Sequence, residues 1–442
     1  MDYRNPLQLA AFCLASVTAL GSVRGDSPFD AAPIRYAMTE ASDPIARLKL
    51  RLERGELALE YEPGRGYLRS LLRELKAPVS SQGLVFSKTS FQRSRISPRT
   101  PRAIYFGDDV YVGWVPGGEV IELSGVDPNL GAVFYQFEQR VQDPRLRRTD
   151  ESCLLCHSSF SGKRIPSHVV RSVFVDRSGT PLTGTARYRT DHASPFEQRW
   201  GGWYVTGQHG DQRHLGNVTF DSLAEAQRGG RFQGNLEELG DRFDTSRYLS
   251  PHSDVVALMV LEHQTLMHNT ITAANFEARR VLHAASRADN AKQSNSTKES
   301  EAKRALSLDL QKRLDDAAES VVHALLFVGE SKLTDPVSSS TEFAKVFAAR
   351  GKRDSSGRSL RDLDLRTRLF KHPCSYLIDS PSFDQLPGPL LARIYARLWQ
   401  VIGGGEDDTT FDHLTASDRQ AIREILLETK AGLPASWRQP RR

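Results

Sequence analysis

Long apolar runs are nearly missing from this chain. The only one of note, Leu7 to Leu20, is too short to cross a bilayer. No later stretch is apolar enough for a membrane helix, so no transmembrane segment is expected in the mature chain. Cysteine is scarce, at four in 442 residues, which argues against a scaffold built on disulfides. Neither sign of charge dominates, with 59 Lys and Arg against 54 Asp and Glu. Dense basic clusters interleaved with aromatics are absent too, so nucleic-acid binding is not expected. Short basic stretches such as Arg145-Leu146-Arg147-Arg148 and the tail from Arg438 to Arg442 read as solvated surface. Internal repeats are absent, and the two ends of the chain show no nucleophile motif, phosphate loop or metal cluster. What remains is an ordinary soluble composition, 39% hydrophobic and 26% charged, at a length that allows two or three domains.

The run from Leu7 ends at Ala19-Leu20-Gly21, small residues at the positions a signal peptidase reads. Residues 1–21 are therefore expected to be an export signal, with Cys13 removed alongside it. The charged region ahead of it is weak, Arg4 being offset by Asp2, and a buried N-terminal helix is the alternative. Export leaves three cysteines. Cys374 has no evident partner and reads as a buried, inert thiol.

The other two cysteines stand in Cys153-Leu154-Leu155-Cys156-His157. Positions three and four apart share one face of a helical turn, so both thiols and the imidazole can meet one macrocycle. Each thiol can add across a haem vinyl group to form a thioether, and His157 can then reach the iron as its proximal ligand. The motif occurs once, so one covalent haem c is expected. A proximal histidine needs its second ring nitrogen fixed by an acceptor; the carbonyl of Pro166 is placed for this, unless Pro166 is a simple turn residue. The sixth iron ligand is open. Met259, His263 and Met267 are spaced four apart on one helix face, although such a stripe is more often core. His192, His209 and His214 lie in a Gly-rich, loop-rich stretch with Trp200 and Trp203, and His168 lies close to His157 in sequence. Glu262, His263 and His268 suggest a second metal only weakly, because positions five apart diverge around a helix.

Around this centre the pattern predicts a chain of α+β class, mainly helical. A charged helix follows an irregular lead-in, and a second helix is expected within Gly66–Leu75. A small antiparallel β-meander follows, formed by Ala103–Phe106, Val110–Val115, Glu119–Leu123 and Ala132–Phe137, with turns at Pro116-Gly117-Gly118 and Asp127-Pro128-Asn129. A helix capped by Ser253 is expected to run to about Ser286, and another from Leu306 to Val328, ended by Gly329. The Ser/Lys/Glu-rich stretch between them reads as a linker or a charged helix extension. Pro389 opens a further helix that Gly403 ends, and Ser417 with Gln420 forms a capping box before the last one. The expected divisions are 22–145 for the α/β-meander region, 146–286 for the haem region, 287–304 for the linker and 305–442 for a helical C-terminal region.

The motif resembles that of c-type cytochromes. More of the chain resembles a family of long, exported bacterial cytochrome c domain proteins. The stretches that carry this likeness are Ile96 to Arg102, Tyr188 to His192 with Trp200 to Gly207, Leu261 to Gln264 and His372 to Tyr376. The resemblance implies a cytochrome c-like haem region, electron transfer with a redox partner protein, and a location outside the cytoplasm, in the periplasm or beyond. The chain departs from small soluble cytochromes in its length and in lacking a Met-ligand loop after the haem motif. Single-electron transfer is thus the leading expectation. A haem enzyme with an open distal site, peroxidase-like or acting on another small molecule, is the alternative, together with a haem-based binding or sensing module.

Overall fold

Alternating apolar residues build the sheet where they are expected. A computed structural model describes residues 29–142, 144–149, 151–158, 164–228, 234–290, 297–403 and 408–438, so the expected export signal with Cys13 lies outside them. The strands are β1 (Gly83–Val85), β2 (Arg102–Phe106), β3 (Val110–Trp114), β4 (Val120–Asp127), β5 (Gly131–Glu138) and β6 (Arg145–Arg148). A separate two-stranded ribbon, β7 (Arg171–Val173) with β8 (Arg187–Arg189), precedes β9 (Trp203–Tyr204). The expected four-strand meander is the centre of a larger antiparallel sheet of seven strands, ordered β6-β5-β4-β3-β2-β1-β9. It takes β6 and β9 from beyond residue 145. Both predicted turns form. Gly117 adopts φ +70°, and Asp127 Oδ1 accepts from the amides of Asn129 and Leu130 at 2.7 and 2.9 Å.

Both faces of the sheet are covered. Val112, Trp114, Ile121, Leu123, Val133, Tyr135 and Phe137 belong to one core cluster with Ile45 and Leu48 of α1 (Pro44–Glu53) and Leu71 of α2 (Leu68–Glu74). The alternate residues Phe106, Tyr111 and Val126 belong to a second, larger cluster built on the C-terminal helices. Register then lines up a transverse row on that second face. Phe106 pairs with Tyr111, Tyr111 with Ser124 and Ser124 with Phe134, while the Phe134 carbonyl accepts from Thr149 at 2.9 Å. The row crosses four strands, β2 to β5, and ends at Thr149, just before the Cys153–His157 motif.

That motif is the short helix α3 (Glu151–His157). Between the end of α3 and residue 254 the described residues hold one α-helix, α4 (Leu223–Gln227). The rest of the chain is helical: α5 (Val255–Asn290), α6 (Thr297–Leu325), α7 (Phe343–Ala349), α8 (Pro381–Asp384), α9 (Gly388–Ile402) and α10 (Ala416–Thr429). The class is α+β, with about 39% helix against 15% strand, so helix outweighs strand, as expected. No helix among the described residues is long and apolar enough to cross a membrane.

One open alternative is decided and two caps are corrected. Residues 287–290 and 297–304 are helical ends of α5 and α6, the charged helix extension of the two alternatives; Ala, Lys and Glu favour helix even without an apolar stripe. Asp254, not Ser253, caps α5, accepting from the amides of Val256 and Ala257 at 2.9 and 3.1 Å. The last capping box is Thr415 with Asp418, not Ser417 with Gln420. There the Asp418 carboxylate is also held by Arg368, whereas the Gln420 side chain bonds Glu424.

Ser253 has a different task. Its hydroxyl donates to the Tyr204 carbonyl at 2.6 Å and accepts from the Leu84 amide at 2.9 Å, tying β9 and β1 to the start of α5. Ser253→Ala should cost about 1–3 kcal/mol in urea unfolding, because a buried carbonyl and amide lose their partner. A change under about 0.5 kcal/mol would show that these bonds are replaceable.

Candidate functional site

The Cys153–His157 motif follows the edge strand β6 of the sheet. After Thr149 the chain turns into α3, where Leu154 packs on the N-terminal core. Leu155 is 85% exposed, the highest value among the exposed large hydrophobics of the described residues. Cys156 is exposed, Cys153 is half-buried, and Thr149 Oγ1 lies 3.8 Å from Cys153 Sγ. The thiol-bearing turn thus offers apolar surface outward, as a covalently attached planar group would need.

His157 is held in one orientation. Its Nδ1 lies 2.9 Å from the Ser167 carbonyl. A carbonyl can only accept, so Nδ1 carries the proton and Nε2 keeps its lone pair. Ser167 also grips the His157 carbonyl with its amide at 2.7 Å and its hydroxyl at 3.1 Å. Burial pushes the His157 pKa down to about 4, so the ring is neutral near pH 7. The acceptor is therefore Ser167, one residue beyond the expected Pro166. The reason is chemical: Pro166 has no N–H with which to grip back, whereas Ser167 closes the loop from both sides. Two thiols on one turn and an imidazole with a bare Nε2 are the donor set that haem c requires, so these residues fit the group.

From His157 a series of rings leads inward along the transverse row. The Phe134 ring centroid is 4.9 Å from His157 and 6.1 Å from His168, and His168 lies 4.2 Å from Tyr111. The Ser124 hydroxyl donates to the Val133 carbonyl at 3.1 Å, so it accepts from His168 Nε2 at 2.8 Å. His168 Nδ1 is left buried with no hydrogen-bond partner. Asn269 holds the His168 backbone at both ends, accepting from its amide at 2.8 Å and donating to its carbonyl at 2.7 Å.

The remaining distal candidates lie elsewhere along α5 and its partners. Met259 and Met267 are buried in the larger core cluster. His263 Nδ1 is 2.9 Å from His192 Nδ1, and His263 Nε2 is 2.8 Å from the Ser375 hydroxyl. His192 is also bonded to the Val328 backbone. Both nitrogens of each ring are thus engaged, and iron ligation by either would break a buried bond. His214 Nδ1 accepts from the Gly216 amide, so its Nε2 donates to His209 Nε2 at 3.2 Å, which leaves the His209 proton on Nδ1. Among these histidines only His168 keeps a bare, unpartnered nitrogen. Glu262 faces Arg199, whose Nη1 donates at 3.0 Å; burial nevertheless pushes the Glu262 carboxyl up to about 7. Among the described residues, no group of three or more His, Cys, Asp or Glu is arranged to hold a metal ion. Cys374 is buried, and that burial raises its thiol pKa.

Sequence reasoning missed Tyr111, Ser124, Phe134, Ser167 and Asn269. Their roles come from cross-strand register and from loop closure, and neither leaves a motif. Compared with protein-family models, curated proteins and solved structures, the chain matches none.

The buried histidines make stability depend on pH. His214 is neutral in the fold, its pKa lowered to about 3 by burial, against about 6.5 when unfolded. Its contribution is therefore intact above pH 6.5 and is lost as pH falls toward 3, because the unfolded chain takes the proton first. Between pH 6.5 and 5, a His214→Phe variant should lose about 2 kcal/mol less than the parent in urea unfolding. Equal losses in both proteins would show that His214 does not drive the acid sensitivity.

Proposed function

We propose that this protein carries one haem c, joined through Cys153 and Cys156 and ligated by His157, and that it passes single electrons to or from a redox partner protein outside the cytoplasm. In this reading residues 146–286 are the cytochrome c-like, haem-binding part of the chain, and residues 1–21 direct export. The observation that carries the reading is the His157 to Ser167 carbonyl bond, which leaves Nε2 as the one nitrogen of that ring able to take iron. When bound, the haem supplies a reversible ferrous–ferric couple. The chain's own residues do the rest. Ser167 fixes the ring tautomer, Phe134 covers one side of the imidazole, and the exposed turn at Leu155 and Cys156 keeps the attached group near the surface where a partner can approach.

A second reading is a haem enzyme or sensor with an open sixth position. One observation favours it: His192, His263 and His214 spend both ring nitrogens on hydrogen bonds, and Met259 and Met267 lie in the core. Optical spectra of the reduced protein with and without carbon monoxide separate the two readings. A low-spin spectrum indifferent to the gas supports electron transfer, and a shifted band supports an open iron.

Attachment itself is tested by intact mass and acid–acetone extraction of the exported protein. The mass should exceed the polypeptide by one haem, and the colour should stay with the chain. Cys153→Ala and Cys156→Ala should each weaken retention, and His157→Ala should abolish the normal spectrum. Haem that extracts freely, or an unaltered spectrum in His157→Ala, would reject the reading.

A further inference from the structure

Tyr111 is buried on the sheet face that meets α5, and its hydroxyl has two partners. Gln264 Nε2 lies 3.1 Å away, and His268 Nδ1 lies 2.8 Å away. The Gln264 amide cannot be turned round, because its oxygen accepts from the Tyr376 hydroxyl at 2.6 Å and its nitrogen donates to the Gly107 carbonyl at 2.9 Å. Gln264 therefore donates to Tyr111, and the Tyr111 proton points at His268 Nδ1. The His268 proton must then be on Nε2. That nitrogen is buried without a hydrogen-bond partner and faces Asp109 Oδ1 at 3.9 Å, which has none either. The result is an ordered series of phenol, imidazole and carboxylate, with the carboxylate side chain 21% exposed. Other tyrosines are partnered differently. Tyr135 donates to Asp43, and Tyr36, Tyr204 and Tyr248 donate to backbone carbonyls.

We propose that Tyr111 is a redox-active tyrosine. On losing one electron to a one-electron oxidant, it passes its O–H proton along the existing bond to His268 Nδ1. The products are a neutral tyrosyl radical and an imidazolium whose Nε2–H faces the Asp109 carboxylate. No atom leaves the protein, and return of the electron sends the proton back. The ring contacts that join Tyr111 to His168, Phe134 and His157 mark the route for the electron; that route rests on the haem reading, whereas the oxidation of Tyr111 does not.

The test is flash oxidation of the full chain with photogenerated ruthenium(III) tris-bipyridine, followed by freezing and electron paramagnetic resonance. A neutral tyrosyl signal should appear. Tyr111→Phe should lower it at least fivefold, and Tyr135→Phe and Tyr204→Phe should leave it in place. In protein labelled with 15N-histidine, the radical should show coupling to one imidazole, and His268→Phe should abolish it. The Cys153→Ala/Cys156→Ala double variant, with no attachment point for haem, should give the same radical, which separates this proposal from the haem reading. A signal undiminished in Tyr111→Phe would overturn the proposal. Where that variant does not fold, absence of 15N-histidine coupling in the parent radical overturns it instead.

Discussion

Antiparallel register is the constraint on which the arrangement depends. Tyr111, Ser124, Phe134 and Thr149 stand side by side only because each strand pairs with its neighbour at one setting. A slip of one residue in β4 would turn Ser124 to the opposite face and bring Leu123 or Gly125 in its place. His168 would lose the hydroxyl that fixes its tautomer. A slip in β5 would remove the ring that lies beside His157. The apolar residues packed under α1 and α2 hold this setting, so the core on one face of the sheet determines the polar chemistry on the other.

Desolvation is the second constraint. The middle of α5 buries Glu262, His263, Gln264, His268 and Asn269, groups that are costly to remove from water unless they are matched. Each one is met by a residue from outside the helix: Arg199, His192 with Ser375, Tyr111 with Tyr376, Tyr111 again, and the His168 backbone. Among its described residues the stretch from 164 to 254 has few strands and one short α-helix, and the bonds from Arg199, His192 and the His168 backbone help to hold it against α5.

Much of the scaffold was legible in the sequence. Stretches rich in Val, Ile, Tyr, Phe and Trp, with turns between them, located the four central strands, and apolar stripes located α5, α6, α9 and α10. Strands β1, β6 and β9, outside the central meander, were missed because they are two to four residues long and carry too little pattern to stand out. The helix caps were misplaced by one or two residues, where two adjacent polar residues fit the same rule. The motif at Cys153–His157 was plain because two cysteines and a histidine stand within five consecutive residues. Of the stretches singled out in the sequence, Tyr204 reaches the Pro98 carbonyl, and His263 reaches both His192 and Ser375. Their pairings could not be read in advance, because contacts across about seventy residues or more depend on how the helices are laid over the sheet.

The two-ended grip of Asn269 on His168 has a mechanical consequence. One side-chain amide imitates the neighbour that a strand would have, so a helix residue completes the backbone pairing of a segment that belongs to no sheet. Segment and helix thereby become a single lever. A tilt of α5 would be carried into the backbone at residue 168, and from there, through Ser167, to the imidazole of His157. Any force that a docked molecule exerts on the C-terminal helices would then be felt at the edge of the sheet, with the amide of Asn269 as the coupling pin.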